Sequence, residues 1–183
     1  MAKTIKLTAA ISAAVTVIFT ILYFYLHTGV LLSLSITAGT IAYHFIMRLF
    51  VGAIVNAVMH NKADHTKKRY CLFPFEKKLY KKLKVKHWKK HLPTYDPSLF
   101  SVKEHTYDEI IGATCQAEVT HEVIAVLSFI PILFIPLFGS PLVFIITSVL
   151  SALFDMTFVI IQRYNRPRLV KYTDRQKKIE QRN

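Results

Sequence analysis

Cysteine is scarce in this chain of 183 residues, with Cys71 and Cys115 alone and neither in a CxxC or Cys/His finger spacing. That excludes a thiol-based zinc finger or a paired redox centre, and both are read as free thiols on the reducing side, neither as a nucleophile. Acid is scarce too, at 11 Asp and Glu against 24 Lys and Arg, for a net charge of +13. No internal repeat, low-complexity tract or HExxH motif occurs; His121-Glu122 lacks the second histidine. What is abundant is apolar: 52% of residues are hydrophobic. Apolar runs separated by basic loops are the pattern of a small multi-span membrane protein. The positive charge therefore points to anionic lipid head groups, not to nucleic acid.

Residues 8–26 carry no charge and are long enough to span; a retained helix fits them better than a cleaved signal peptide, because no small-x-small site closes the run. Residues 29–59 extend about 46 Å as a helix, against roughly 30 Å of hydrocarbon. Two further spans are expected at 121–138, kinked by Pro131 and Pro136, and at 142–162. Residues 60–91 hold twelve Lys and Arg against Asp64 and Glu76. Within them Leu72, Phe75, Leu79 and Leu83 recur at helical spacing behind Pro74, which predicts an amphipathic helix lying on lipid. Residues 94–107 read as a loop, and 107–115 as a short helix or a lead-in to the next span. The expected fold is an all-α membrane protein, one domain over 1–183. It has four transmembrane helices in two hairpins, a basic cytoplasmic segment at 60–120 and a basic tail at 163–183. Lys and Arg avoid the two tight turns, so the chain is expected in the cell membrane with both termini cytoplasmic.

Polar residues on these spans are not scattered. Ser33, Thr37, Thr40, His44 and Arg48 form one helical stripe, and Thr147, Ser151 and Asp155 another. Glu118 and His121 share a face at the head of the third run. Counting from the outer ends, His44 and Asp155 lie about 21 Å deep, His121 about 25 Å and Arg48 about 27 Å. These residues and Glu118 are expected in one layer, with Arg48 paired to Glu118 or Asp155 and His44 near His121. The alternative is a charge network that only fixes helix packing.

Several stretches carry a resemblance: Tyr43-His44 with Arg48 and Gly52, Trp88-Lys89 with Leu92-Pro93, Ala117-Glu118 with His121, and Gln162-Arg163-Tyr164-Asn165-Arg166-Pro167-Arg168-Leu169. Together they resemble the glycosyl-4,4′-diaponeurosporenoate acyltransferases of staphyloxanthin-type carotenoid synthesis. The resemblance implies transfer of a fatty acyl group to a sugar hydroxyl of a glycolipid-like acceptor. On chemical grounds an acyl thioester, with acyl-coenzyme A as the expected co-substrate, needs no enzyme nucleophile, metal or cofactor. His121 is the first candidate base with Glu118 orienting it, and His44 is the second. Arg48, Asn165 or Arg166 would steady the oxyanion. Arg163, Arg166, Arg168 and the lysines near Trp88, Lys89 among them, would hold donor phosphates; Asp155 and Tyr164 complete the candidate substrate-binding set. A zinc-dependent intramembrane hydrolase or protease using His44, Glu118, His121 and Asp155 is the rival. A non-catalytic scaffold or lipid-binding protein is a third reading.

Overall fold

Every apolar run in the chain folds as helix. A computed structural model describes residues 2–92 and 98–182; Pro93 of the family-like motif and residues 94–97 of the expected loop lie outside them. In chain order the helices are α1 (Ala2–Leu26), α2 (Gly29–Met59), α3 (Pro74–Lys82), α4 (Val85–Trp88), α5 (Tyr107–Leu127), α6 (Ile135–Phe138) and α7 (Pro141–Glu180), with short 3-10 turns between. No strand occurs among the described residues. Four helical stretches are long and apolar enough to cross a membrane: α1, α2, Tyr107–Phe138 and α7. Their outward side chains, such as Phe50, Val126 and Leu142, stay exposed, as lipid-facing residues do. The all-α membrane fold expected from the sequence is the one found.

Two boundaries have local causes. α5 begins at Tyr107, ahead of the apolar run, because Thr106 and Glu109 cap it reciprocally. Glu109 Oε2 accepts the Thr106 N–H at 2.8 Å, and Thr106 Oγ1 accepts the Glu109 N–H at 3.3 Å. α7 continues to Glu180 through Pro167, so residues 163–180 are helix.

The chain forms two compact units, Met1–Ala53 with Val123–Asp155, and Ile54–Glu122 with Met156–Asn183. In the first, α1 and α2 make a hairpin. Thr20 and Ser35 hydroxyls meet at 2.6 Å, and a Cβ on Gly39 would stand 3.3 Å from Thr16, so the helices approach closely there. The hydroxyls of Ser12, Thr16 and Thr20 donate to carbonyls four residues back, leaving little unpaired polarity for lipid.

In the second unit, Gly112 sits against the turn after α2. A Cβ there would lie 2.1 Å from the Asn61 carbonyl oxygen, so only glycine fits. Gln116 fastens the same turn, accepting from the Asn61 N–H at 2.7 Å and donating to Asn56 Oδ1 at 3.0 Å. Val85, Ile110, Ile111 and Cys115 make its buried apolar core.

Candidate active site

The polar residues singled out in the sequence fall into two groups, one in each unit. In the first, Arg48 of α2 pairs with Asp155 of α7 and donates to Ser151 Oγ at 2.7 Å and to the His44 carbonyl at 3.0 Å. Ser151 continues to Ser128, in the turn just after α5, at 2.9 Å. Of the two partners expected for Arg48, the structure supplies Asp155. His44, one turn before Arg48, is 5% exposed, and its ring meets Tyr43 edge-on at 5.4 Å. Neither ring nitrogen has a hydrogen-bond partner among the described residues. Ser148 Oγ is buried and unpartnered in the same unit. Buried polar groups are nearly always paired. Among the described residues the His44 imidazole is an exception to that rule.

The second group is a closed charge network. Arg163 of α7 uses all five of its N–H groups. Nε and Nη2 grip Glu76 of α3 at 2.6 and 2.8 Å, Nη1 reaches Glu118 of α5 at 2.6 Å, and the carbonyls of Arg69 and Cys71 take the other two at 2.9 Å each. Arg166 donates to Thr114 Oγ1 and its carbonyl and to the Tyr70 carbonyl; its Nη2 also stands 2.5 Å from Glu118 Oε2 as a charge contact. Glu118 is fully buried between the two guanidinium groups. Two acids and two arginines cancel, which is how such charges survive burial. Burial alone would raise Glu76, but Arg163, the Tyr80 hydroxyl and the Phe73 N–H outweigh it and hold the carboxyl at about 2.

This changes the assignments. Glu118 was expected to orient His121; both its oxygens face arginines. Arg163 was expected to hold donor phosphates; it has no N–H left to offer. His121 is half-buried with its ring stacked on Phe158 at 4.6 Å. Trp88 donates Nε1–H to the Leu83 carbonyl at 2.9 Å, closing the α3–α4 connection. Lys89 donates to Asn165 Oδ1 at 2.5 Å and lies over the Tyr164 ring, and burial, then Arg168, push its amine below the usual range. Arg168 is exposed and lies on the other ring contact of Tyr164, 3.8 Å from the centroid. Among the described residues no three His, Cys, Asp or Glu gather as a metal would require. Sequence reading passed over Glu76, Ser128 and Ser148; Glu76 had a signal, being one of only two acids among twelve cations.

Four helices long and apolar enough to cross a membrane are consistent with a multi-pass membrane protein, and each of its two units holds its own buried charges. Residues 66–175, more than half of the chain, match the model of the glycosyl-4,4′-diaponeurosporenoate acyltransferase family. The chain belongs to that family and is an acyltransferase. His44 and Arg48 lie ahead of the matched stretch. No curated protein and no solved structure is similar enough to match the chain.

Proposed function

We propose that this enzyme moves a fatty acyl group from an acyl thioester, acyl-coenzyme A as co-substrate, to a hydroxyl of a lipid or glycolipid acceptor within the cell membrane. The observation that carries the reading is His44, buried with both nitrogens open beside the Arg48–Asp155 pair. The acceptor hydroxyl gives its proton to a His44 nitrogen as its oxygen adds to the thioester carbonyl. Arg48, held by Asp155 and Ser151, supplies positive charge for the tetrahedral oxyanion. The oxyanion collapses, the C–S bond breaks, and the departing thiolate recovers the proton from the imidazolium, leaving an ester and a free thiol. His121 is the second candidate for the base. No metal or further cofactor enters the scheme. Basic residues on the polar segments favour a cytoplasmic placement of both termini and attraction to anionic head groups.

The test is mass spectrometry of membrane lipids from cells with and without the protein, together with the purified protein given a fatty acyl-coenzyme A and the lipid extract. An acylated lipid that depends on the protein in both supports the reading and identifies the acceptor. Its absence from both overturns it.

A further inference from the structure

Between α3, α4 and the cytoplasm-proximal half of α7, as oriented above, lies an open basin of about 310 Å³. Lys77, Lys81, Lys84, Lys86 and Arg168 line it, with His87, and among the described residues no carboxylate does. Local structure gathers these cations. Lys77 and Lys81 are one turn apart on α3. Lys84 takes a left-handed φ of 51° that turns the chain into α4 and brings Lys86 and His87 round. Arg168 is laid on Tyr164, whose ring meets Tyr80 at 6.2 Å and closes the floor. The acid on α3 is Glu76, and Arg163 consumes both its oxygens. Five like charges around one concavity repel one another unless an anion fills it.

The basin is not the lipid-facing side of α3. Phe75, Leu79 and Leu83 are 63%, 40% and 43% exposed and form one edge of the helix. At 100° per residue Lys77 and Lys81 lie on the far side, roughly 120–160° away from Phe75 and Leu79. Lysines serving only to hold the helix on a membrane would flank that apolar edge, as Lys78 and Lys82 do.

We infer that this basin binds the clustered phosphates of a soluble, nucleotide-type carrier of the acyl group. The inference rests on the thioester reading above and moves the phosphate site away from Arg163, whose donors are spent, onto five cations that no carboxylate holds among the described residues.

Full-length protein in nanodiscs of neutral phosphatidylcholine would be titrated with adenosine 3′,5′-bisphosphate. Saturable binding is expected, weakened at least tenfold in a Lys77→Gln/Lys81→Gln/Lys86→Gln variant, and unchanged in Lys171→Gln/Lys178→Gln, which lowers net charge elsewhere. All five lysines are exposed, so thermal unfolding of the variants should match wild type. Turnover completes the test. The preference for a coenzyme A thioester over the phosphate-free N-acetylcysteamine thioester should fall at least tenfold in the triple variant. No saturable binding, or equal weakening in both variants, overturns the site. So does loss of affinity for phosphatidylglycerol vesicles alone, which would make the basin a lipid contact. If the bisphosphate binds as expected but neither thioester is turned over, the phosphate site stands and the acyl-donor reading fails.

Discussion

Tyr43 Oη donates a hydrogen bond to the main-chain carbonyl of Leu127 at 2.8 Å. Leu127 lies four residues before Pro131, which has no N–H to give it, and α5 ends there. In hydrocarbon such a carbonyl finds no water, so a neighbouring helix must cover it, and Tyr43 of α2 does. Tyr43→Phe should destabilise the protein by about 1 kcal/mol. In a Pro131→Ala background the same change should cost less, since the alanine N–H can serve Leu127. Unfolding titrations in mixed micelles measure both; an equal cost in the two backgrounds would remove this explanation for Tyr43.

Glu118 and Arg163 should behave as structural partners. Glu118→Gln leaves two buried guanidinium groups sharing the charge of Glu76, and should cost about 3–5 kcal/mol, as should Arg163→Lys, which cannot replace a five-donor fork. Activity should disappear only as far as folded protein does. A Glu118→Gln protein with wild-type melting and no acyl transfer would instead place this carboxylate in the chemistry.

The same network sets an acid limit. Glu76 titrates at about 2 in the fold against an ordinary 4.5. A depressed carboxylate contributes stability that is whole above pH 4.5 and is lost as pH falls from there through about 2. Thermal midpoints measured from pH 7 down to pH 3 should fall most steeply below 4.5. In Glu76→Gln the protein should be less stable at pH 7 and that acid slope should flatten. An unchanged slope in the variant would assign it to other groups.

Both carboxylates of the four-residue set named for the zinc alternative, Glu118 and Asp155, are already paired with arginines. Acyl transfer by purified protein should therefore survive prolonged treatment with 1,10-phenanthroline. Stoichiometric zinc in the protein, with activity lost to the chelator and restored by zinc, would reverse this assignment.

The spans were legible because lipid solvent demands long uncharged runs, and an acidic partner for Arg48 because depth and polar stripes placed it on an inward face, though the choice of Asp155 over Glu118 was left to the fold. The α5 start was written in the sequence as Thr106-x-x-Glu109, and 107–115 was open as a short helix; that it runs on unbroken into the apolar span was not legible. The surroundings of Arg163 and Arg166 were hidden for a different reason. Charge and spacing cannot tell an arginine open to phosphate from one whose donors are taken by Glu76, Glu118 and the carbonyls of residues 69, 70, 71 and 114. Those partners come from distant segments that only the fold assembles. The open nitrogens of His44 were equally hidden, since an absent partner leaves no trace in a sequence.

His44 gives the sharpest division between catalysis and packing. An imidazole with two unpartnered nitrogens in an apolar setting is a liability to the fold. Replacing it by a side chain of similar bulk, His44→Leu, should leave the unfolding midpoint unchanged or raise it. If His44 is the base, kcat should fall by about 10²–10⁴ with little change in KM for the thioester. A packing histidine would show the reverse, lower stability with kcat intact. His121→Ala, assayed alongside, decides between the two imidazoles. Should kcat collapse there and survive in His44→Leu, the proton transfer belongs to His121 and His44 is left as an acceptor-binding group at most.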